Sequence, residues 1–345
     1  MDDLGLYLNN WNKWPLPVAR IPQKLNPFET DKVNLYAALA FHLPYENIKF
    51  ITLYGLLSGA KEKGVLEDVH TLIEATSGNT GIALSEMAKN FGNFKVKLVV
   101  ANDIPDGKRY PLLMSGAQLI PPEEGLSGIA TARKLGGGGW KEKDWKSDNG
   151  CLNLDQYANP DGAKIHAIFT APKIIEQMEY TPNIFVAGIG TGGTMVGISE
   201  YVKKQIKNAK TVGVLLENGN EIPGVRDLNR MKEITLPWKE SCDEIVEIKT
   251  KPSYLASLWF NWTMSITPGP SSGFAYLGAL KALKKYKNSG ELDNLRNEKG
   301  EINVAILFPD GNRPYGERYA ANLPYEYFSP STAPFPWNMP GYELF

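Results

Sequence analysis

The chain has 345 residues, of which 43% are hydrophobic and 22% charged, with a net charge of -1. That length suits two packed lobes better than one simple core, and the near-neutral balance offers nucleic acid or an anionic membrane no general attraction. Two distant cysteines, Cys151 and Cys242, and three scattered histidines, His42, His70 and His166, argue against a disulfide framework or a metal site.

No apolar run approaches the roughly 18 residues that a membrane span requires. The start, Met1-Asp2-Asp3-Leu4, lacks the basic, apolar character of a secretion signal. A cytoplasmic location without membrane partners is the expectation. Along the chain, 71–75 reads as a short buried strand and 81–91 as a helix. Strands follow at 96–100 and 118–121, then a helix at 127–135. The run Gly136-Gly137-Gly138-Gly139, leading to Trp140 and Trp145, reads as a surface loop, either a tolerated insertion or a lid. Next come a strand at 183–187, a helix at 194–207 and a strand at 211–216. Helices at 252–263 and 273–287 precede a late strand at 302–308. This alternation predicts an α/β fold of mostly parallel sheets covered by helices on both faces. Ligands in such folds sit at the carboxyl ends of strands. The tail carries Tyr325, Tyr327, Phe328, Phe335 and Trp337, which predicts packing against the body or a partner subunit.

Two strand-to-helix junctions are built for anions. The first is Glu74-Ala75-Thr76-Ser77-Gly78-Asn79-Thr80-Gly81. Free N–H groups at a helix start point outward there, and the hydroxyls of Thr76, Ser77 and Thr80 add donors, which suits a carboxylate. Simple helix capping would need only one such residue. The second is Gly188-Ile189-Gly190-Thr191-Gly192-Gly193-Thr194, whose N–H groups can converge on a phosphate monoester. Gly188, Gly190 and Gly193 also match GxGxxG, with Glu217 at a distance suited to a ribose, so an NAD-binding oxidoreductase is a rival reading.

Taken in order, these junctions resemble those of the fold type II pyridoxal-phosphate (PLP) enzymes, above all the cysteine synthase (O-acetylserine sulfhydrylase) and cystathionine β-synthase branch. The segment Gln156-Tyr157-Ala158-Asn159-Pro160, with His166, Thr170 and Ile174, is similar to a glutamine-bearing segment of that family, and Pro270-Ser271-Ser272-Gly273 to another signature. The likeness runs from about Asn26 to Tyr315. It implies two lobes, each with a twisted, mostly parallel sheet, and the cofactor in the cleft between them. Residues 36–165 would form the smaller, mobile lobe, 1–35 and 166–330 the larger lobe, and 331–345 a tail.

The resemblance also assigns roles. Pro44-Tyr45-Glu46-Asn47-Ile48-Lys49 fills the family's anchor pattern, so Lys49 would bind PLP covalently and later act as base. Asn47 replaces the usual serine, Phe50 a charged residue, and Ala38 and Ala40 a lysine and a glutamate. Lys61 and Lys63 lie in what reads as the end of a solvated helix. Gly190, Thr191, Gly192, Gly193 and Thr194 would hold the phosphate, and Asn79 the ring's 3′-oxygen. Thr76, Ser77, Gly78, Asn79 and Thr80, with Gln156, would hold the substrate carboxylate. A serine normally meets the pyridine nitrogen, but Gly311 stands in its place, so either nothing polar or Asp310 faces that atom; Asp310 as a plain turn residue is the alternative. Arg226 would favour an anionic leaving group such as phosphate, unless it simply pairs with Asp227. The implied activity is β-elimination and β-replacement on an O-activated serine, of the O-acetylserine or O-phosphoserine type, with sulfide or a thiol. A serine or threonine dehydratase on the same fold, and a non-catalytic relative, are the alternatives. A small amino-acid substrate and a homodimer complete the expectation.

Overall fold

The structure is a computed structural model that describes residues 10–137 and 149–344. The larger sheet has six strands in the order Val18–Arg20, Val33–Leu39, Ile302–Phe308, Ile184–Gly188, Lys210–Leu216 and Glu244–Ile248. Only Val18–Arg20 runs antiparallel to its neighbour. The smaller sheet has four parallel strands in the order Gln118–Ile120, Lys95–Val99, Thr71–Ala75 and Cys151–Asn153. Val33–Leu39 and Ile302–Phe308 are buried at every position, as central parallel strands covered on both faces should be.

Helices Thr250–Met264 and Pro270–Ser289 pack on one face of the larger sheet, where Tyr254, Phe260, Phe274 and Tyr276 are fully buried beside Phe308. The other face meets a core shared with the smaller sheet through helix Lys49–Glu62, whose Phe50, Leu53 and Leu56 are buried with Trp14. The expected strands and helices all appear, with ends shifted by a few residues. Sequence patterning did not reveal Val18–Arg20, Val33–Leu39, Cys151–Asn153 or Glu244–Ile248.

The expected lobe limits need correction. A boundary at residue 36 would cut the strand Val33–Leu39, which belongs wholly to the larger sheet. A boundary at 165 would cut the helical run that continues from Asp161–Ile165 through His166–Thr170 to Ala171–Gln177. In the tail, Phe335 stacks on Trp259 at 4.5 Å and on Trp337 at 4.8 Å. Tyr325 departs from the expected packing and is 91% exposed. Gly136 closes helix Gly128–Gly136, while the rest of the expected loop, from Gly138 through Trp145, lies outside the described residues, as does the segment Met1-Asp2-Asp3-Leu4.

Candidate active site

Four segments leave the carboxyl ends of strands and meet. They are the lead into Lys49 after Val33–Leu39, the turn 76–80 after Thr71–Ala75, the turn 190–194 after Ile184–Gly188, and Pro309-Asp310 after Ile302–Phe308. Together they border a cleft of about 750 Å³ and a smaller cavity of about 60 Å³. Lys49, Asn79, Gly190 and Thr191 line both.

Lys49 is the first residue of helix Lys49–Glu62. Asn47, the replacement for the usual serine, fixes this start: its side-chain oxygen accepts the Lys49 backbone N–H at 3.0 Å. Ile48 N–H donates to the Pro309 carbonyl at 2.8 Å, which ties the lysine to the Asp310 segment. Burial first, and then the nearby Arg226 cation, lower the Lys49 pKa from 10.5 to about 8 against the opposing pull of Glu74 and Asp310. The rivals Lys61 and Lys63 are exposed, and Lys63 pairs with Asp161.

The turn 190–194 presents the backbone N–H groups of Gly190, Thr191, Gly192, Gly193 and Thr194, none of which reaches a backbone acceptor among the described residues. Gly192 takes a φ of 84°, which glycine adopts without strain. A Cβ on Gly190 would fall 2.0 Å from the Gly224 carbonyl oxygen, so the chain can pass there only as glycine. Thr194 Oγ1 lies 3.3 Å from His166 Nε2, which also meets Thr52 Oγ1 at 2.9 Å. Burial drops the His166 pKa to about 3, so the imidazole behind the turn is neutral.

The turn 76–80 differs in build. Thr76 Oγ1 accepts the Gly78 N–H at 3.3 Å, and the buried Thr80 hydroxyl donates to Gln156 Oε1 at 2.9 Å. Gln156 Nε2 and the Tyr157 hydroxyl both donate to the Ala75 carbonyl, at 3.4 and 2.8 Å. Beneath the turn, Glu74 is 1% exposed and accepts the N–H groups of Ala75 and Gln156 at 3.1 and 3.3 Å. Burial, then repulsion from Asp155, raises its pKa to about 8, so it is largely protonated at neutral pH.

Asp310 is no plain turn residue. It is buried and accepts hydrogen bonds from Ser271 Oγ at 2.6 Å, Asn79 Nδ2 at 2.8 Å and the Tyr315 hydroxyl. Its pKa is raised by burial against the pull of these three donors. Tyr315, like Glu74 and Tyr157, was not singled out as a functional residue from the sequence; only its place near the Asp310 strand end could have flagged it. Arg226 does not pair with Asp227, as one reading held. Its guanidinium lies 5.0 Å from the Tyr157 ring centroid and 3.6 Å from Glu233, while Asp227 accepts the Arg230 N–H. The reason is local: the Arg226 backbone is bonded to Ile189 and Leu216, which turns its side chain to the cleft. Glu217, the proposed ribose contact, lines neither cavity.

The donor set fits PLP: a nest of free N–H groups for a phosphate, an amine of lowered pKa for an aldehyde, and a buried carboxylate across the cavity. Among the described residues, no cluster of His, Cys, Asp and Glu is arranged for a metal, and no helix is long and apolar enough to cross a membrane.

Comparison with known proteins agrees with this geometry. The family model described as "Pyridoxal-phosphate dependent enzyme" matches residues 14–294. Cysteine synthase B of Salmonella typhimurium is 30% identical over 302 residues, covering 86% of this chain and 90% of that protein. Cysteine synthase B of Escherichia coli is 31% identical over 273 residues, covering 78% and 85%. The solved O-acetyl serine sulfhydrylase isoform 3 of Entamoeba histolytica shares the fold with a TM-score of 0.73 at 24% identity, covering 91% and 92%. With the family shown, the GxGxxG likeness no longer supports an NAD-binding oxidoreductase. This chain belongs to the pyridoxal-phosphate dependent enzyme family, as a PLP-using enzyme with the two-sheet fold type II architecture of its cysteine synthase relatives.

Proposed function

We propose that this chain catalyses PLP-dependent β-replacement on an O-activated serine, of the O-acetylserine or O-phosphoserine type, with sulfide or a thiol as nucleophile. The cysteine synthase relatives support the reaction class. The observation that carries it to particular residues is Lys49, an amine with a pKa near 8 that lines both cavities between two anion-accepting turns.

In this reading Lys49 would bind the cofactor, while Gly190, Thr191, Gly192, Gly193 and Thr194 would hold its phosphate. Asn79 would meet the ring's 3′-oxygen and Asp310 its nitrogen. When bound, PLP supplies the electron sink that makes the substrate's Cα proton removable. The substrate carboxylate lies against Thr76, Ser77, Gly78, Asn79 and Thr80, with Gln156 holding the turn in shape. The Lys49 amine would accept the substrate's Cα proton. Its lowered pKa keeps a useful fraction neutral near pH 7, where an ordinary lysine is almost wholly protonated. The Cβ–O bond breaks and its electron pair leaves on acetate or phosphate. The nucleophile loses a proton as its bond to Cβ forms, and Lys49 returns a proton to Cα. Arg226 favours a leaving group that carries negative charge. The reading includes a cytoplasmic homodimer, and analytical ultracentrifugation measures the dimer directly.

The test is the visible spectrum of the PLP-loaded protein. O-acetylserine alone should change the spectrum and release acetate, and added sulfide should restore the spectrum and yield cysteine. A spectrum unmoved by both O-acetylserine and O-phosphoserine would overturn the proposal.

A further inference from the structure

The large cleft is lined by five cations, Lys49, Lys108, Arg226, Arg230 and Arg313, against two carboxylates, Glu221 and Glu233. Most of these charges are accounted for. Arg226 lies 3.6 Å from Glu233, Arg230 3.9 Å from Asp227, and Arg313 3.4 Å from Glu46. Lys49 already has its role in the proposed reaction. Lys108 is the exception. It sits in the first turn of helix Asp106–Met114, half-buried, and its ammonium has no hydrogen bond or ion pair among the described residues. Burial and the neighbouring Arg318 both disfavour its charge, and Glu221 alone opposes them. Glu221 is itself 3.7 Å from Arg318. A half-buried ammonium on a cleft wall with no protein hydrogen-bond partner among the described residues is left to water and is open to an arriving anion.

Which anion follows from position. In the proposed reaction the substrate's own carboxylate goes to the turn 76–80. Arg226 is near enough to Lys49 to depress its pKa and so attends the reacting end of the substrate. Lys108 lines the large cleft but not the smaller cavity that Lys49 also borders, and its charged neighbours are Arg318 and Glu221. A cation remote from the reacting carbon can read only the far end of the second reactant. The cleft, at about 750 Å³, has the size of sites that enclose whole organic ligands. Bare sulfide would need neither that space nor that charge.

We propose that the outer cleft binds the carboxylate of the incoming nucleophile through Lys108, so that the preferred acceptor is a thiol or amine bearing a carboxylate. This rests on the β-replacement reading. The acceptor gives up its S–H or N–H proton as its bond to Cβ forms, the leaving group having already departed with the Cβ–O electron pair.

The experiment uses PLP-loaded enzyme, saturating O-acetylserine and two acceptors, 3-mercaptopropionate and 2-mercaptoethanol. The wild-type kcat/KM should favour 3-mercaptopropionate by about 10-fold or more, mainly through KM, as one charge-assisted contact allows. Lys108→Met should bring the ratio to about 1, and Lys108→Arg should keep most of it. Calorimetric binding of 3-mercaptopropionate should weaken by a similar factor in Lys108→Met. A wild-type ratio near 1, or a ratio that survives in Lys108→Met, overturns the inference. Acetate release before any acceptor is added separates the two levels. If acetate is released but the thiols are not distinguished, only the acceptor assignment falls; without acetate release, the β-replacement reading falls with it.

Discussion

The turn 190–194 and the turn 76–80 both leave a parallel strand and open a helix, yet they are made of different material. The first is mostly glycine, buried and tightly packed, and offers bare backbone N–H groups. A side chain at Gly190 or Gly192 would run into Gly224 or Trp238. The second is mostly hydroxyl and amide side chains, is partly exposed at 76–79, and leaves open space around Gly78. The contrast matches two kinds of guest. A group held through the whole catalytic cycle is served by a fixed cradle that has no rotamers to order. A substrate that enters and leaves is served by side chains that can adjust.

If both turns were only tight corners, a methyl group would cost the same in each. We expect otherwise. Gly190→Ala should be the most damaging substitution, because the clash is with backbone: a loss of about 3 kcal/mol or more in stability and near-complete loss of PLP retention. Thermal unfolding and the cofactor absorbance of the purified protein would show it. Equal retention in Gly190→Ala and Gly78→Ala would erase the distinction.

The next effect lies beneath the flexible turn. Glu74 keeps its proton in the fold up to about pH 8, whereas an ordinary glutamate loses it near 4.5. As pH rises through that window the unfolded chain gives up a proton that the folded chain retains, so stability falls. The full contribution is on the order of 4 kcal/mol. Glu74→Gln cannot ionise and should show a flatter dependence of unfolding temperature between pH 5 and 8; parallel curves for the two proteins would remove the buried acid from the account.

Arg226 sharpens the comparison at the substrate end. Arg226→Ala should reduce the kcat/KM ratio of O-phosphoserine to O-acetylserine by about 10-fold, the scale of one charge-assisted contact. An unchanged ratio would assign the residue to packing on Tyr157. The smallest effect is Gly78→Ala. With nothing within 4 Å of the added methyl, its stability should stay within about 0.5 kcal/mol of the parent.

Much of this site was legible in the sequence because its pieces are local. Each turn carries its chemistry in consecutive residues after an apolar run, and Lys49 lies in a short recognisable pattern. What stayed hidden depends on chain-distant contact. Asp310 looked like a residue before a turn until Ser271, Asn79 and Tyr315 were seen to converge on it. Glu74 gave no sign that Asp155 and Gln156 would close over it. Lys108 stood out only once its neighbours had all found partners. Val33–Leu39 was missed although Ile302–Phe308, equally buried, was found, because Asn34 and the pair Ala37-Ala38 interrupt its apolar, β-branched run. The lobe limits failed for the same reason, since that strand joins the larger sheet across the expected boundary.

The central claim is that one sheltered amine, Lys49, reaches the guest held between the two turns. Borohydride reduction of the PLP-loaded protein, followed by peptide mapping, tests it most directly. The account predicts a single reduced pyridoxyl label on Lys49. A label on Lys61, Lys63, Lys108 or any other lysine would contradict it.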